Sequence, residues 1–269
     1  MVNKVLLLDT SVATLNIGDE IILDSIRENF PELFENNYIY SLPTHTLHFS
    51  LLQKLLYRKK IRAYSTADYK ILCGTNALYT NMLRPLPSWN INIFNSSLVK
   101  NTICVGIGLN STSVNWYTRW LYSKVLSKKY IHSVRDEAAK IFLEKLGYQV
   151  YNTGCPTLWG MTSELCKRIP DSKSDSVVFT LTSYQADRTR DKAMVEILSK
   201  NYSHLYFWPQ TIDDLGYLKS LTNDLPTIIS PNLLSYDRFL DTEIDYVGNR
   251  LHGGIRALQY AKRTIIISI

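Results

Sequence analysis

Short apolar segments alternate with segments of helical periodicity along the whole chain. The apolar runs extend from Lys4–Asp9 ("KVLLLD") to Arg263–Ile269 ("RTIIISI"), and most of them show no polar alternation. Strands that are apolar on both faces are typical of parallel sheets covered by helices on each side. The pattern therefore predicts an α/β fold. The predicted strands are KVLLLD, NNYIYS, YKILCG, NTICVGIG, KYIHSV, YQVYNTG, SVVFTL, HLYFWP, PTIIS, IDYVG and TIIIS.

One polar segment interrupts this alternation. Cys166–Ser176 ("CKRIPDSKSDS") combines proline, serine and charge, which is typical of a linker. We therefore predict two doubly wound, Rossmann-like domains over residues 1–166 and 174–269, with ligands bound at the carboxyl ends of the strands. The last apolar run is not followed by a helical segment, so we expect the second domain to lack its terminal helix.

Composition narrows the class of protein. The 269 residues carry a formal charge of +6, which fits anionic lipids or small anionic substrates, and no nucleic-acid motif is present. The four cysteines are widely spaced, so neither a disulfide framework nor a zinc site is predicted, and we expect no metal or cofactor. No apolar run approaches the roughly 20 residues of a membrane span, and the first segment resembles a strand rather than a signal peptide. We expect a cytoplasmic protein.

Candidate ligand contacts follow several of the predicted strands. In "NIGDE", Gly18 lets the backbone approach a ligand and Asp19 suits the start of a helix, although Asp19 could serve only as a cap. The turns "CGTNALY" (Cys73–Tyr79) and "VGIGLNS" (Val105–Ser111) are not complete dinucleotide fingerprints, and tight turns alone would account for them.

Two arginines stand where a strand turns into a helix. In "SVRDEAAKIFLEKLGY", Ser133 and Asp136 fit a capping box that places Arg135 in the first helical turn. In "YVGNRLHGGIRALQYA", Arg250 and His252 open the last helix. A cation there costs about 0.3–1 kcal/mol, so two instances favour a bound anion over two exposed arginines paired with carboxylates.

Proton transfer and further contacts are predicted near the same elements. An unperturbed histidine pKa of about 6.5 suits His252 for acid–base chemistry near neutrality. Gln210 lies at the carboxyl end of a strand and could contact substrate, whereas Thr211 and Asp214 form a second capping box with a structural role.

Two basic stretches contain large apolar residues. They are Leu47–Tyr64 ("LHFSLLQKLLYRKKIRAY") and Asn115–Tyr130 ("NWYTRWLYSKVLSKKY"). Such mixtures occur in helices that lie on anionic membranes. An ordinary amphipathic helix with a solvated lysine face and a sugar-stacking surface at Trp116 or Trp120 are the alternatives.

The order of four segments resembles the polysaccharide pyruvyl transferase family over nearly the whole chain. These segments are "NIGDEIIL", "SVRDEAAKIFLEKLG", "TGCPTLW" and "NRLHGGIRAL". The resemblance implies two Rossmann-like domains in a glycosyltransferase-B-like arrangement, the first on the acceptor side and the second on the phosphoenolpyruvate side. It also implies transfer of the enolpyruvyl group of phosphoenolpyruvate to sugar hydroxyls, which yields a pyruvate ketal and phosphate.

The resemblance associates Arg250, His252 and Arg135 with phosphoenolpyruvate, and on this basis we predict roles for individual residues. His252 is the predicted acid and Asp19 the predicted base. Phosphoenolpyruvate, with its phosphate and carboxylate, is predicted to contact Arg135, Arg250, Leu251, Gly253 and Gly254. The acceptor, a saccharide of a capsular, cell-wall or exopolysaccharide precursor that could be lipid-linked, is predicted to contact Asn16, Gly18, Asn76, Gln210 and Trp116. A peripheral location at the inner membrane face would suit such an acceptor.

Two other functions stay open at this point, because a fold does not determine its chemistry. A nucleotide-sugar-dependent glycosyltransferase of the same architecture would use Arg250 and His252 on a diphosphate. A non-catalytic saccharide- or phosphate-binding protein would bind ligand without turnover.

Overall fold

A computed structural model describes residues 2–46, 48–84, 87–110 and 114–268. Leu47, the first residue of the basic stretch Leu47–Tyr64, and Ser111, the last residue of the turn Val105–Ser111, lie outside these ranges. The strands are β1 Lys4–Asp9, β2 Tyr38–Pro43, β3 Tyr69–Cys73, β4 Thr102–Val105, β5 His132–Val134, β6 Val150–Asn152, β7 Ser176–Thr180, β8 His204–Phe207, β9 Thr227–Ile228, β10 Asp245–Gly248 and β11 Thr264–Ile266. The α-helices are α1 Gly18–Asn29, α2 Pro31–Glu35, α3 Leu51–Leu56, α4 Arg58–Ser65, α5 Trp116–Val125, α6 Glu137–Lys145, α7 Ser163–Lys167, α8 Arg188–Asn201, α9 Asp214–Leu221, α10 Leu233–Leu240 and α11 Leu251–Gln259.

The chain forms two compact units. The first contains Met1–Thr14 and Ile22–Trp159, and the second contains Leu15–Ile21 and Gly160–Ile269. The short segment that ends in the first turn of α1 thus groups with the C-terminal half of the chain. The predicted linker includes the end of α7 and the first residue of β7, both in the second unit. The domain boundaries at residues 166 and 174 stay a prediction.

The first unit is built on a parallel sheet of order β2-β1-β3-β4, beside a parallel pair of β5 and β6. A single bridge between Ile107 and Val134 connects the segment after β4 with β5. The sheet is covered on both faces, because alternate residues of β1 enter two different hydrophobic clusters: Leu6 and Leu8 join one, and Val5 and Leu7 join the other. The predicted α/β class with buried parallel strands is confirmed for this unit.

The second unit contains a five-stranded parallel sheet of order β11-β10-β7-β8-β9. Val178 of β7 points into one apolar cluster, and Val177 and Phe179 point into another. From β7 the chain proceeds outward through β8 and β9 and then returns to the other side of β7 as β10. The carboxyl ends of β7 and β10 therefore form a topological switch point, where open α/β sheets bind ligands.

The predicted capping box at Ser133 and Asp136 is wrong in detail. Helix α6 begins after Asp136, whose carboxylate accepts the Ala139 N–H at 2.7 Å, whereas Ser133 belongs to β5. Ser133 is unavailable as a cap because its hydroxyl accepts the N–H of Gly106 at 3.1 Å. Arg135 consequently precedes the N-cap and does not lie in the first helical turn.

Candidate functional site

The switch point of the second unit carries the second predicted arginine. Arg250 is the N-cap residue of α11, and its side chain makes no capping hydrogen bond to that helix. Its side chain is instead buried, with its guanidinium carbon 4.7 Å from the centre of the Tyr184 ring. The guanidinium Nε donates to the carbonyl oxygen of Leu181 at 3.0 Å, just beyond β7. Arg250 thus joins the carboxyl ends of β7 and β10.

A buried carboxylate neutralises Arg250. Asp214, the first residue of α9, accepts a short hydrogen bond from Arg250 Nη2 and is fully buried with it. The same nitrogen donates to the hydroxyl of Thr211 at 2.8 Å. The hydroxyl predicted to cap a helix is therefore engaged by Arg250, while Asp214 accepts the Thr211 N–H at 2.9 Å. Among the described residues, Arg250 Nη1 is buried without a hydrogen-bond partner.

A second polar network fixes the residue before Arg250. The side-chain oxygen of Asn249 accepts the Thr182 hydroxyl at 2.8 Å, and its nitrogen donates to Asp191 at 3.1 Å. Asp191 also accepts the hydroxyl of Tyr217 at 2.6 Å. Burial, reinforced by Asp191, raises the pKa of Tyr217, so its hydroxyl remains a donor. The turn between β10 and α11 is consequently fixed by the contacts of Asn249 with Thr182 and Asp191.

The start of α11 packs very closely on the sheet. The hydroxyl of Tyr246 donates to the carbonyl of Arg250 at 2.8 Å, and that of Tyr236 donates to the carbonyl of Gly253 at 2.9 Å. A Cβ atom on Gly254 would lie 2.5 Å from Ile266 Cγ1, so only glycine fits at this position. The first N–H groups of a helix have no partner within it, and Arg250 does not cap them. They form a positive pole suited to an anion.

Five of the predicted residues converge in the second unit. The side-chain nitrogen of Gln210 donates to Asn16 Oδ1 at 2.8 Å, and the Gly18 N–H donates to the same oxygen at 3.0 Å. A Cβ atom on Gly18 would lie 2.7 Å from Gln210 Nε2 and 3.3 Å from His252 Nδ1, which explains the glycine. A Cβ atom on Gly253 would lie 3.1 Å from Gln210 Oε1. We call this group the His252 cluster: Asn16, Gly18, Gln210, His252 and Gly253.

Gln210 is the central member of the His252 cluster. It is almost fully buried, and its Oε1 has no hydrogen-bond partner among the described residues. Its main chain is also fixed, because its N–H donates to Asp214 at 3.2 Å and its carbonyl accepts the Ile17 N–H at 3.0 Å. A buried acceptor without a donor is uncommon and is a position where a ligand hydroxyl could donate.

The first unit holds a separate group, the Arg135 cluster, which comprises Asn76, Gly108, Arg135 and Asp136. Arg135 is partly exposed and donates from Nη2 to the Asn76 side-chain oxygen at 2.6 Å. A Cβ atom on Gly108 would lie 2.5 Å from Arg135 Nε and 2.3 Å from Asn76 Oδ1, so the guanidinium lies directly against this glycine. Within the described part of the chain, Arg135 forms no ion pair.

Asn76 is presented by an unusual turn. Gly74 and Thr75, which follow β3, both have positive φ, at 65° and 55°. This conformation is rare for a β-branched residue such as Thr75, and outliers of this kind concentrate at functional sites. The Thr75 carbonyl accepts the Gly108 N–H at 2.8 Å, which fixes the two loops of the Arg135 cluster to each other.

Comparison with known families decides the relationship of this chain. The sequence profile described as polysaccharide pyruvyl transferase matches residues 16–269, which is nearly the whole chain. The chain belongs to this family. The resemblance inferred from the four sequence segments is thereby confirmed, and the family supports a transferase. No curated protein sequence matches the chain significantly.

Nine of the residues predicted to form the site belong to two groups or lie outside both. Asn16, Gly18, Gln210, His252 and Gly253 meet in the second unit, and Asn76 meets Arg135 in the first. Trp116 is 75 % exposed at the start of α5, and the described contacts do not include it in the Arg135 cluster. Leu251 is also exposed.

Arg250, at the switch point described above, completes the set together with Asp19 and Gly254. Asp19 lies in the first turn of α1 and is buried, and Gly254 packs against β11 as described above. The roles of all these residues stay predictions.

Sequence reasoning missed the ion pair between Asp214 and Arg250. The position of Asp214 next to Thr211 indicated only a helix cap, because the distance to Arg250 is 36 residues along the chain. No local sequence signal marks this pair, because the polar "TIDD" turn resembles an ordinary helix start and only the structure shows that Asp214 is fully buried. The two basic stretches, Leu47–Tyr64 and Asn115–Tyr130, do not supply a transmembrane helix. Among the described residues, no helix has both the length and the hydrophobicity that crossing a membrane requires.

Proposed function

We propose that this protein transfers the enolpyruvyl group of phosphoenolpyruvate to two hydroxyls of a sugar in a polysaccharide or lipid-linked precursor. Family membership over residues 16–269 supports pyruvyl transfer. The observation that carries the donor assignment is the buried Arg250 Nη1, which has no hydrogen-bond partner among the described residues and belongs to the N-cap residue of α11, at the positive pole of that helix. A phosphate or carboxylate oxygen would satisfy both.

The ion pair with Asp214 defines what Arg250 contributes. Because Asp214 neutralises its charge, Arg250 acts through the oriented N–H groups of Nη1 rather than as a free cation. We assign Asp214 as a positioning residue that holds the guanidinium in one orientation. By the family resemblance, Arg135 serves the same donor, and it contributes the charge that the Arg250–Asp214 pair lacks. The glycosyltransferase-B-like arrangement of the two units is part of this proposal.

The proposed reaction is balanced in atoms and charge. His252 donates a proton to the methylene carbon of phosphoenolpyruvate, which becomes a methyl group, and the adjacent carbon acquires oxocarbenium character. A sugar hydroxyl attacks that carbon and loses its proton to Asp19. The C–O bond to phosphate breaks, and a second hydroxyl of the same sugar closes the ketal. Of the two hydroxyl protons, one replaces the proton that His252 gave and the other leaves with hydrogen phosphate.

The acceptor is proposed to bind beside the His252 cluster. Gln210 Oε1 is buried and receives no donor from the part of the chain that the structure describes, so it is suited to accept a sugar hydroxyl, and Asn16 and Gly18 line the same place. Asn76 is assigned to the acceptor by the prediction from sequence, and in the proposed mechanism it also orients Arg135. Catalysis requires no metal or cofactor in this scheme.

Phosphate release from phosphoenolpyruvate, measured with a panel of nitrophenyl glycosides, tests the proposal. We expect acceptor-dependent release that His252→Ala abolishes, while His204→Ala, an exposed histidine in β8, leaves it unchanged. Mass spectrometry of the product would show the added pyruvate ketal. Absence of release with every acceptor, together with thermal stabilisation by a nucleotide sugar and none by phosphoenolpyruvate, would support the glycosyltransferase alternative instead.

A further inference from the structure

Helix α3 turns its apolar face outward. Leu52, Leu55 and Leu56 follow the i, i+3, i+4 spacing that puts side chains on one helical face, and they are 65 %, 67 % and 66 % exposed. A surface helix normally buries such a face against the core. Tyr57, directly after the helix, is also exposed. These residues form a contiguous exposed apolar surface within one turn and a half of chain.

The helix that presents this surface is firmly positioned. A complete capping box at Ser50 and Gln53 closes its first turn. On the opposite face, the ammonium group of Lys54 donates to the carbonyl oxygen of Phe94, and burial lowers the pKa of Lys54. This contact brings the turn at Ile93 and Phe94 next to α3, and both of these side chains are exposed as well. The leucines are thus held outward by specific contacts.

The next helix adds positive charge. Helix α4 packs on the core of the first unit through Ile61 and Tyr64, and the Tyr40 hydroxyl donates to the Ala63 carbonyl at 2.9 Å. Its remaining surface is basic and exposed. The basic residues are Arg58, Lys59, Lys60 and Arg62. No acidic residue occurs between Glu35 and Asp68, so this charge is not compensated locally along the chain.

The other basic stretch, Asn115–Tyr130, has a similar composition but buries an apolar face. Helix α5 buries Leu121, Tyr122 and Val125 in the core, so its apolar face is already occupied. Its lysines therefore belong to an ordinary amphipathic helix. Of the two stretches, only the one that contains α3 combines basic neighbours with an exposed apolar face. Composition alone therefore does not identify this surface.

We propose that α3, α4 and the Ile93–Phe94 turn form a docking surface for an anionic lipid membrane. Exposed leucines and aromatic residues beside lysines and arginines match helices that insert shallowly at the headgroup boundary. Lysine is depleted in protein–protein interfaces, which argues against a protein partner for this surface. The charge complements an anionic leaflet. This inference goes beyond the transfer reaction and does not depend on it.

Vesicle co-sedimentation of the purified full chain tests the proposal. We expect binding to vesicles of equimolar phosphatidylglycerol and phosphatidylcholine, and little binding to phosphatidylcholine alone. The variant Lys59→Gln/Lys60→Gln/Arg62→Gln should bind anionic vesicles about 100-fold more weakly, since each cation near such a surface contributes about a factor of five. The variant Leu52→Gln/Leu55→Gln/Leu56→Gln should lose most of its binding at high salt, where apolar contacts dominate.

Matched variants elsewhere in the chain provide the controls. Leu234→Gln removes a leucine in α10 that is 60 % exposed, and Lys124→Gln/Lys128→Gln/Lys129→Gln removes three exposed lysines of the α5 stretch. Both should bind within about twofold of the unaltered chain, because surface substitutions away from a binding site are nearly neutral. Circular dichroism would verify that every variant is folded.

Three results would overturn the proposal. The unaltered chain could fail to bind anionic vesicles, or the α3 and α4 variants could bind as tightly as the controls. Light scattering could also reveal a dimer that the leucine variant converts to a monomer, which would assign the surface to a second copy of the chain. All of these measurements are independent of phosphate release, so failure of membrane docking and failure of pyruvyl transfer are distinguishable.

Discussion

Arg135 and Arg250 occupy corresponding positions in their units, each after a parallel strand and just before a helix, yet their surroundings are opposite. Arg250 is buried and paired with Asp214, whereas Arg135 is partly exposed and donates to the neutral amide of Asn76. The same sequence pattern therefore produces one arginine fixed by an ion pair and one whose charge is available. A cation before a helix does not by itself reveal which of the two it is.

The difference predicts different consequences when each arginine is removed. A buried ion pair that loses one member leaves an uncompensated charge in the protein, whereas an exposed arginine can be removed with little effect on folding. Stability should therefore depend on Arg250, and activity should depend on both arginines. The experiments below use this separation.

Arg250→Ala should have the largest effect on stability. The substitution leaves Asp214 fully buried without its cation, and breaking such a pair costs about 3–5 kcal/mol. Urea unfolding followed by circular dichroism would measure it. The double variant Arg250→Ala/Asp214→Ala should recover part of the loss, since no unpaired charge remains. A loss below about 1 kcal/mol for Arg250→Ala would contradict the structural role of the pair.

Arg135→Ala should lower activity and leave the stability almost unchanged. We expect the free energy of unfolding to change by less than about 0.5 kcal/mol, because the side chain is partly exposed and forms no ion pair with a described residue. Acceptor-dependent phosphate release should fall at least about 100-fold, as for removal of a donor that stabilises the transition state. Arg119→Ala, an exposed arginine in α5, is the matched control. Equal activities of the two variants would remove Arg135 from the proposed mechanism.

Gly108→Ala tests whether the position of Arg135 matters as well as its charge. The added methyl group would lie 2.5 Å from Arg135 Nε, so the guanidinium must move while its charge remains. We expect phosphate release to fall about 10-fold, since misplacing a substrate-binding group by about 1 Å can lower a rate by up to about 100-fold. Gly160→Ala is the control, because a Cβ atom there meets nothing within 4 Å. Unchanged activity in Gly108→Ala would show that Arg135 acts without a fixed geometry.

Sequence reasoning predicted the regular elements better than the partners of their polar residues. Each of the eleven apolar runs overlaps a strand of the structure, because burial on both faces of a parallel sheet leaves a direct signature in the sequence. Gly18 was predicted to let the backbone approach a ligand, whereas the turn that contains Gly108 could be explained by tight turning alone. What they accommodate, a glutamine and an arginine, depends on loops that only the tertiary structure brings together.

The pairing of Arg250 shows why part of the site could not be predicted. Asp214 lies 36 residues earlier and approaches Arg250 only because β10 returns to the side of β7 opposite β8. Likewise, Gln210 and Asn16 are 194 residues apart. Local patterns identify a helix start correctly, as at Arg250, but they misplaced Arg135 because the Ser133 hydroxyl is engaged by the N–H of Gly106, the residue that follows β4.

The strand that leads to Arg135 should make the protein sensitive to mild acid, which is the smallest effect we expect. His132 is buried, its Nδ1 accepts the Cys104 N–H at 3.1 Å, and its Nε2 lies 2.8 Å from the Ser127 carbonyl, so the ring is neutral with its proton on Nε2. Burial lowers the pKa of His132 below its ordinary value of 6.5.

Since the unfolded chain then binds a proton more readily than the folded one, stability should fall as pH drops below about 6.5 and level off below the folded-state pKa. Urea unfolding between neutral and mildly acidic pH would measure this slope. His132→Gln, which retains an acceptor and a donor but does not titrate, should show a shallower slope. Identical slopes would mean that other groups, among them His48, whose pKa burial also lowers, account for the acid sensitivity. In that case His132 would not contribute to the pH dependence of the unfolding free energy in this range.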